Sequence, residues 1–536
     1  MKRIISVILI VSCLFAFLSC NNEKQTQGGT NSDQTPEHVC EFTVRSPKPK
    51  YIKTRATCQG PSMFYYSCIC GRAGTEAFAY GTAASHDYYL MNTEQKYLLE
   101  EATVKTSAVY YKSCKCGMAG TETFTYGTPI QLTEEQKAYL PTSVTVSFYD
   151  INALTYGFNY TTFALPKNPV IQIMEEGAGE WSECIPSSYE ASTLDESGVE
   201  IPFFISKAEI TLKPDTVYVY RICDKDADVE TPTSVLKTKS SDTTCFTFAH
   251  ISDSQAGSEE FGRVMAAISD SSAFALHTGD VVQNPKFEHE WVEMLDSNYK
   301  YVTGMPIMAI SGNHEMDYTN IGYQTVNRFN TKLPQQASLL NGCYYSFVYG
   351  DVKFIMLNTN ELENNRLTQQ QYDWLINELG NNKCKWTVVS MHNPMYSVGK
   401  YGADETRNAK ALALREQLQA VFVEYGVDLV LQGHDHAISR TFPINEHGMP
   451  LNEEIETVNG TEYIVNPQGV IYLMNGPAGS QQRSPFAVDE SLYVYAEASK
   501  KASYAEITVS EDSLTVTVKW VDGNTEKVYY TWGIKK

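Results

Sequence analysis

With 536 residues, the chain has material for about three domains and a substantial buried core. Its 43% hydrophobic and 20% charged content is that of a globular protein and sets aside a largely disordered one. A net charge of −21 argues against non-specific nucleic-acid binding, which needs a basic footprint, so no nucleic-acid partner is expected. The imbalance is uneven: residues 38–140 hold eleven Lys and Arg against nine Asp and Glu, which places the acidity downstream.

The chain opens on Met1-Lys2-Arg3, a positive start, followed over 4–17 by an apolar run too short to span a bilayer comfortably. The run ends at Phe17-Leu18-Ser19-Cys20, which resembles a bacterial lipobox. That resemblance implies a lipoprotein signal over 1–20, cleavage before Cys20, lipidation of its thiol and anchoring to the cell envelope outside the cytoplasm. An ordinary signal peptide and an uncleaved anchor are the alternatives. Residues 21–37, rich in Asn, Gln, Gly, Thr and Ser, cannot bury a core and read as a flexible linker.

Residues 38–140 contain a tandem repeat. The stretch 73–82 (AGTEAFAYGT) returns at 119–128 (AGTETFTYGT), and a Cys-x-Cys-Gly precedes each, at 68–71 and 114–117. The first copy offers Cys40, Cys58, Cys68 and Cys70, enough for one structural zinc site or two disulfides. The second has Val104 opposite Cys58 and keeps Cys114, Cys116 and His86, the last roughly matching His38. Cys-x-Cys is tighter than the usual Cys-x₂-Cys zinc knuckle, and an exported chain sits where disulfides persist, so disulfides or free thiols are expected ahead of zinc. The pattern resembles small tandem modules of bacterial surface proteins.

From 141 to 242 the pattern changes to short strands at 143–148, 154–160, 170–174, 208–212 and 217–223. The run from Leu212 to Tyr218 resembles the turn into a late strand of fibronectin type III domains. The likeness implies an all-β sandwich in which Tyr218 bonds its hydroxyl back to the backbone. Its aromatic residues are expected in the core, and its part is to position rather than to react.

Residues 243–536 carry the chemistry. Five clusters follow apolar, strand-like runs: Asp253-Ser254-Gln255, Gly279-Asp280, Gly312-Asn313-His314-Glu315, the stretch 389–392 ending at His392, and Gly433-His434-Asp435-His436. Apolar runs that end in Gly or polar residues predict buried parallel strands whose C-terminal ends share a rim, where α/β sheets place their sites. Two carboxylates, an amide and three imidazoles there make a mixed N/O donor set for Zn, Mn or Fe. Around them the spacing predicts helices over 259–268, 288–295, 368–379 and 408–425, a hairpin over 344–357 and terminal strands over 504–509, 513–520 and 527–532. Trp291, His250 and His277 are read as buried structural residues, and Arg440 as a surface arginine.

The ordered clusters resemble the calcineurin-like metallophosphoesterases, in particular the purple acid phosphatase branch, over about residues 141–536. The resemblance implies an α/β (α+β) sandwich of two central sheets flanked by helices. It also implies two divalent or mixed-valence ions bridged by Asp280, one taking Asp253, Asp280 and His436, the other Asp280, Asn313, His392 and His434. His314 would contact the phosphate or protonate the leaving group. Three positions depart from the branch: Gln283 stands where purple enzymes carry Tyr, Gln255 where they carry Gly, and Asn393 where relatives often carry a second His. Gln255 is then either a neutral oxygen ligand or a hydrogen-bond partner, and Glu315 either reaches a metal, supports the ligands from behind by orienting His314, or is a solvated loop acid. The implied function is hydrolysis of small phosphate esters by a membrane-anchored, acid-phosphatase-like phosphomonoesterase. A phosphodiesterase or nucleotide pyrophosphatase on the same site, or a lapsed surface binding protein, is the alternative. The oligomeric state is not legible.

Overall fold

The computed structural model describes residues 38–150, 154–316, 324–334, 344–403, 405–484, 489–523 and 525–536. The signal segment with Cys20 and the linker 21–37 lie outside the described residues. Among the described residues no helix is long and apolar enough to cross a membrane. The chain divides into two units, one holding the described residues through Leu99 with Val109–Phe124, the other Glu100–Ala108 with Thr125–Lys536.

Of the two repeat copies, the first is an antiparallel sheet of Ile52–Thr54, Ser62–Ser67 and Ala73–Tyr80. Its buried core is Tyr51, Phe64 and Phe78, with the partly buried Ile52 and Tyr66 packed against them. The second copy repeats the order with Leu98–Glu100, Ala108–Ser113 and Ala119–Tyr126. Two expectations about the repeats are corrected here. Cys40, Cys58, Cys68 and Cys70 do not gather at one point: His38 and Cys40 join Cys68 and Cys70, while Cys58 joins His86, Cys114 and Cys116. The counterpart of His86 is Cys40, not His38. The reason is register: Phe42 packs on Gly74 as Tyr88 packs on Gly120, so each position shifts by the same 46 residues and Cys40 falls on His86. No disulfide joins any of the ten described cysteines.

The larger unit begins with two antiparallel sheets. One runs in the order Ser187–Leu194, Glu200–Thr211, Thr155–Thr162, Thr142–Asp150; the other is built around Pro169–Glu175 and Val217–Asp224. The hydroxyl of Tyr218 accepts the backbone N–H of Lys213 at 3.2 Å, the back-bond expected of it. Downstream, among the described residues, one sheet orders Ile307–Ala309, Ala275–His277, Phe246–Ile251, Ser503–Val509, Ser513–Asp522, Thr525–Lys535, Thr461–Val465 and Ile455–Val458. The other orders Tyr345–Tyr349, Val352–Met356, Trp386–Met391, Leu429–Gln432, Ile471–Asn475, Ala437–Thr441 and Tyr493–Ala498. The strands ahead of the five clusters each pair parallel with at least one neighbour, Phe246–Ile251 also pairing antiparallel with Ser503–Val509, and their burial on both faces is why they read as continuous apolar runs. They belong to two sheets facing one another rather than to one open sheet. Helix Ser258–Ile268 buries Phe261, Val264, Met265 and Ile268, a stripe at the spacing of one helical face.

The sandwich and the following sheets share one hydrophobic core, in which Phe148 packs edge-on against Phe274 and Phe158 against Tyr220. A buried ion pair stands at the junction: Arg328 donates two hydrogen bonds to Glu288, and both Arg328 and Glu288 bond the Thr161 hydroxyl. Removing one partner strands the other charge in the core. Arg328→Ala is expected to cost about 3–5 kcal/mol in denaturant unfolding, while replacing the pair together with Arg328→Met and Glu288→Leu should cost far less. Equal losses from both would show that the charge pairing itself is not what holds the junction.

Candidate metal centre

The loops after Phe246–Ile251, Ala275–His277, Ile307–Ala309, Trp386–Met391 and Leu429–Gln432 meet between the two sheets. Four of the candidate ligands sit in the left-handed region: Asp253 (φ 52°), Asp280 (φ 58°), His434 (φ 75°) and His436 (φ 50°). Non-glycine residues seldom adopt that conformation, and where they cluster the surrounding structure is enforcing a functional geometry. The enforcing bonds are visible. Asp253 accepts the backbone N–H of His434 at 2.9–3.0 Å, and Asp280 Oδ1 accepts that of His314 at 2.8 Å. Gly312 is required because a Cβ there would lie 2.1 Å from Asp280 Oδ1.

The donors form two groups around Asp280. In the first, His392 Nε2 lies 3.3 Å from Asp280 Oδ2, 3.1 Å from His434 Nδ1 and 3.1 Å from Asn313 Oδ1. Asp280, His392 and His434 each place a ligand atom within 4.8 Å of the others. In the second, His436 Nε2 stands 3.3 Å from Asp253 Oδ1, and the Gln255 amide reaches both His436 Nε2 and Asp280 Oδ2 at 3.4 Å. All six expected ligands and Gln255 are thereby brought together, and His314 beside them.

The residues fit a metal. His392 Nδ1 donates to the Thr278 carbonyl at 2.8 Å and His436 Nδ1 to that of Gln481, so each presents the lone pair of Nε2 inward. That lone pair on His392 faces a carboxylate oxygen, the Asn313 amide and another ring nitrogen, a donor set that a bound cation suits. Burial works against charge on His392, and Asp280 outweighs it, holding the imidazole up at about 9. Burial and the neighbouring His392 push His434 well down. Burial would raise Asp253, but His436 and then His392 hold it low; the same opposition, with His392 foremost, lowers Asp280. Gln255 keeps a buried Oε1 without a hydrogen-bond partner, and an amide can be turned to offer that oxygen instead of its nitrogen.

Glu315 supports the loops from behind, but neither by orienting His314 nor as a solvated acid. The residue is fully buried. It accepts the backbone N–H groups of Asp280 (2.8 Å), Val281 (2.8 Å) and Gly312 (2.7 Å), tying two ligand-bearing loops together. Burial, then the charge of Asp280, raises its carboxyl to about 7, against the pull of those amides. Arg440 is also corrected: it is buried, paired with Glu453 at 2.8 Å and stacked over Trp532, so it is neither exposed nor directed at the centre. His277 and His250 are structural as expected. His277 accepts the Gly279 N–H and bonds Ser254, His250 bonds Thr278, and burial lowers them to about 4 and about 3. Trp291 is buried with its Nε1 donating to the Pro285 carbonyl.

His314 Nδ1 bonds the Gln283 carbonyl at 2.6 Å, and its Nε2 stands 3.9 Å from Asp280 Oδ2, with 26% of the side chain exposed. Sequence reasoning missed Gln481, whose carbonyl fixes His436 and whose amide donates to Gln283 at 2.9 Å. The signal was present: Ile471–Asn475 followed by Gly476 is another apolar run ending in Gly, and its loop bonds Ser252 and Asp253 through Ala478 and Gly479. It also missed Lys410, half-buried and bonded to the side chain of Asn393 at 3.3 Å. Asn393 otherwise binds Thr359 and Asn360.

Residues 246–437 match the calcineurin-like phosphoesterase family. Human acid phosphatase type 7 is 28% identical over 234 residues, 40% of this chain and 50% of that protein. An uncharacterized Mycobacterium tuberculosis protein is 29% identical over 210 residues, 36% of this chain and 39% of its own length. The chain thus spans about two-fifths to half of these curated relatives. The solved purple acid phosphatase from yellow lupin seeds superposes with a TM-score of 0.61 at 14% identity, covering 80% of each chain. The fold is therefore that of a purple acid phosphatase-like metallophosphoesterase, two mixed sheets behind an all-β region. Within it, residues 246–437 are a calcineurin-like phosphoesterase domain.

Because Glu315 fixes the ligand loops from behind, Glu315→Gln, which puts an NH₂ where an amide N–H must be accepted, is expected to weaken metal retention about 10–100-fold. Chelator titration followed by metal analysis measures it. Retention equal to that of the unmodified protein would mean the loops hold without this carboxylate.

Proposed function

We propose that this chain is a dinuclear metal hydrolase of phosphate esters, acting as an acid-phosphatase-like phosphomonoesterase outside the cytoplasm. The observation that carries the reading is the convergence of two donor groups on one carboxylate, Asp280, beside the partly exposed His314. The phosphoesterase family match and the acid phosphatase relatives support it. Asp253, His436 and Asp280, with Gln255 as a further oxygen, would hold one ion; Asp280, Asn313, His392 and His434 the other. Zn, Mn or Fe would suit these donors. Such a pair, when bound, polarises the phosphate oxygens and supplies an activated water.

The chain's own residues orient and protonate. The Gln283 carbonyl sets His314 so that Nε2, not Nδ1, faces the centre. Nε2 is then the atom placed to give a proton to the departing alkoxide. The lipobox-like segment ending at Cys20 supports tethering to the envelope membrane, and in chain order the repeats and the fibronectin type III-like sandwich over 141–242 follow it before the enzyme domain.

Asp280→Ala is expected to abolish turnover and remove both ions together, read by metal analysis; loss of a single equivalent would dismiss the shared carboxylate. His314→Ala should retain metal yet slow alkyl phosphates about 10²–10⁴-fold, with a much smaller loss on nitrophenyl phosphate, whose leaving group needs little protonation. Equal losses on both substrates at matched metal content would assign His314 to phosphate positioning instead. With Gln283 in the tyrosine position, the iron-loaded protein should show no tyrosinate charge-transfer band in the visible spectrum; a strong band would show that another tyrosine reaches the metal.

A further inference from the structure

Outside this centre, the six thiols and two imidazoles of the repeats form two compact groups. His38 Nε2 lies 2.8 Å from Cys68 Sγ, and Cys40 Sγ lies 3.5 Å from Cys70 Sγ. In the other group, His86 Nδ1 lies 3.2 Å from Cys116 Sγ, and Cys58 Sγ lies 3.5 Å from Cys114 Sγ. Within each group all four ligand atoms fall inside 4.8 Å of one another. Zn–S bonds of about 2.3 Å at tetrahedral angles place ligand sulfurs about 3.8 Å apart, close to the spacing here, whereas a disulfide needs about 2.05 Å. Each Cys-x-Cys-Gly closes a tight turn. The carbonyl of Cys68 accepts the Gly71 N–H and that of Cys114 the Gly117 N–H, with Gly71 and Gly117 at φ 86° and 90°, which only glycine adopts freely. The turn aims both sulfurs to one side.

The two groups are not copies of one another, and the difference is informative. By the 46-residue offset, Cys40 becomes His86, and His38 becomes Ala84, which has no ligand atom. The gap is filled from the preceding copy: the Ala84 N–H bonds the Thr57 carbonyl at 2.9 Å, which seats Cys58 beside Cys114. In the next position of the series the Ile130 N–H again bonds the Thr103 carbonyl, but Val104 stands where Cys58 did and the ligand series stops.

We propose that the repeats hold two structural zinc ions, each bound by three cysteines and one histidine. The first is bound by His38, Cys40, Cys68 and Cys70 within one copy. The second is bound by Cys58, His86, Cys114 and Cys116, with Cys58 lent across the copy boundary so that the ion staples one copy to the next. A core of three aromatic side chains is too small to hold such a module, and a metal supplies what the apolar area does not. The catalytic centre contains no cysteine, so thiol chemistry distinguishes the two kinds of site.

The test uses the full-length protein, purified under reducing conditions and then treated with 4-chloromercuribenzoate while released zinc is followed with a metallochromic dye. About two zinc ions per chain should be freed as six thiols are modified, independently of whatever metal the catalytic centre holds. Cys58→Ser should release one, and adding Ala84→His to that variant, which restores the histidine that His38 supplies in the first copy, should return the second. No thiol-released zinc in the unmodified protein, or Cys40–Cys70 and Cys58–Cys114 disulfides by peptide mass mapping of freshly purified protein, would overturn the proposal. Release of both ions from Cys58→Ser at the same rate and stoichiometry as the parent would overturn the shared site.

Discussion

A buried carboxylate with no apparent business in the chemistry governs the geometry of the centre. Glu315 accepts N–H groups from Asp280, Val281 and Gly312, which holds Asp280 in its left-handed conformation and Gly312 tight against it. Ionised carboxylates are strong acceptors from backbone amides, and burial makes leaving those amides unpaired costly. The same device recurs around the rim with different partners. His277 and Ser254 bind the 253–255 loop to the 279–281 loop, Thr278 anchors His392, and Asp253 accepts the His434 amide. Loops from two different sheets are thereby locked to each other, and the candidate donors are held by hydrogen bonds from the residues behind them, the support that a preorganised site needs.

The all-β region contributes to that rigidity from a distance. The strand Ile307–Ala309, which leads to Asn313 and His314, is the last in its sheet, and a bare edge strand is a liability. The strand Thr142–Asp150 covers it: the Ser147 hydroxyl donates to the Ile307 carbonyl at 2.8 Å, and the Phe148 N–H meets Met308 Sδ at 3.2 Å. With Tyr220 donating to the Thr303 carbonyl and Arg328 paired to Glu288, the sandwich is fused to the site-bearing sheets through one core rather than hinged on a linker. It positions the residues that follow it in the chain.

What could be read in the sequence was what local pattern controls. Parallel strands buried on both faces announce themselves as apolar runs, and the glycines and polar residues after them mark the rim, so the six donors were legible before the fold was known. Partnerships across long sequence distances were not. Glu315 is conspicuous beside His314, but its partners include loop amides some thirty-five positions upstream, and nothing local distinguishes a buried staple from a solvated acid. Arg440 looks like a surface cation until Glu453 and Trp532 are seen to enclose it. The thiols were countable, yet their grouping depended on the Thr57–Ala84 backbone bond that carries Cys58 out of its own copy. Gln481 escaped because it acts through its carbonyl, which every residue possesses.

That last point explains how the centre tolerates glutamine at position 283. A side chain there might be thought to decide the fate of the site, since tyrosine and glutamine differ in charge, ring and reach. The shortest contact that sets His314, however, is made by the Gln283 backbone carbonyl at 2.6 Å, with the Gln283 side-chain amide lying farther from the same ring nitrogen at 3.4 Å. The Gln283 amide is used elsewhere, accepting from Gln481, whose own carbonyl sets His436. Glutamine here therefore keeps the His314 ring in place and links it, through Gln283 and Gln481, to the candidate ligand His436 on the other side of the site. Geometry is carried chiefly by the backbone, so the exchange of tyrosine for glutamine need not disturb the placement of the imidazole that is proposed to protonate the leaving group.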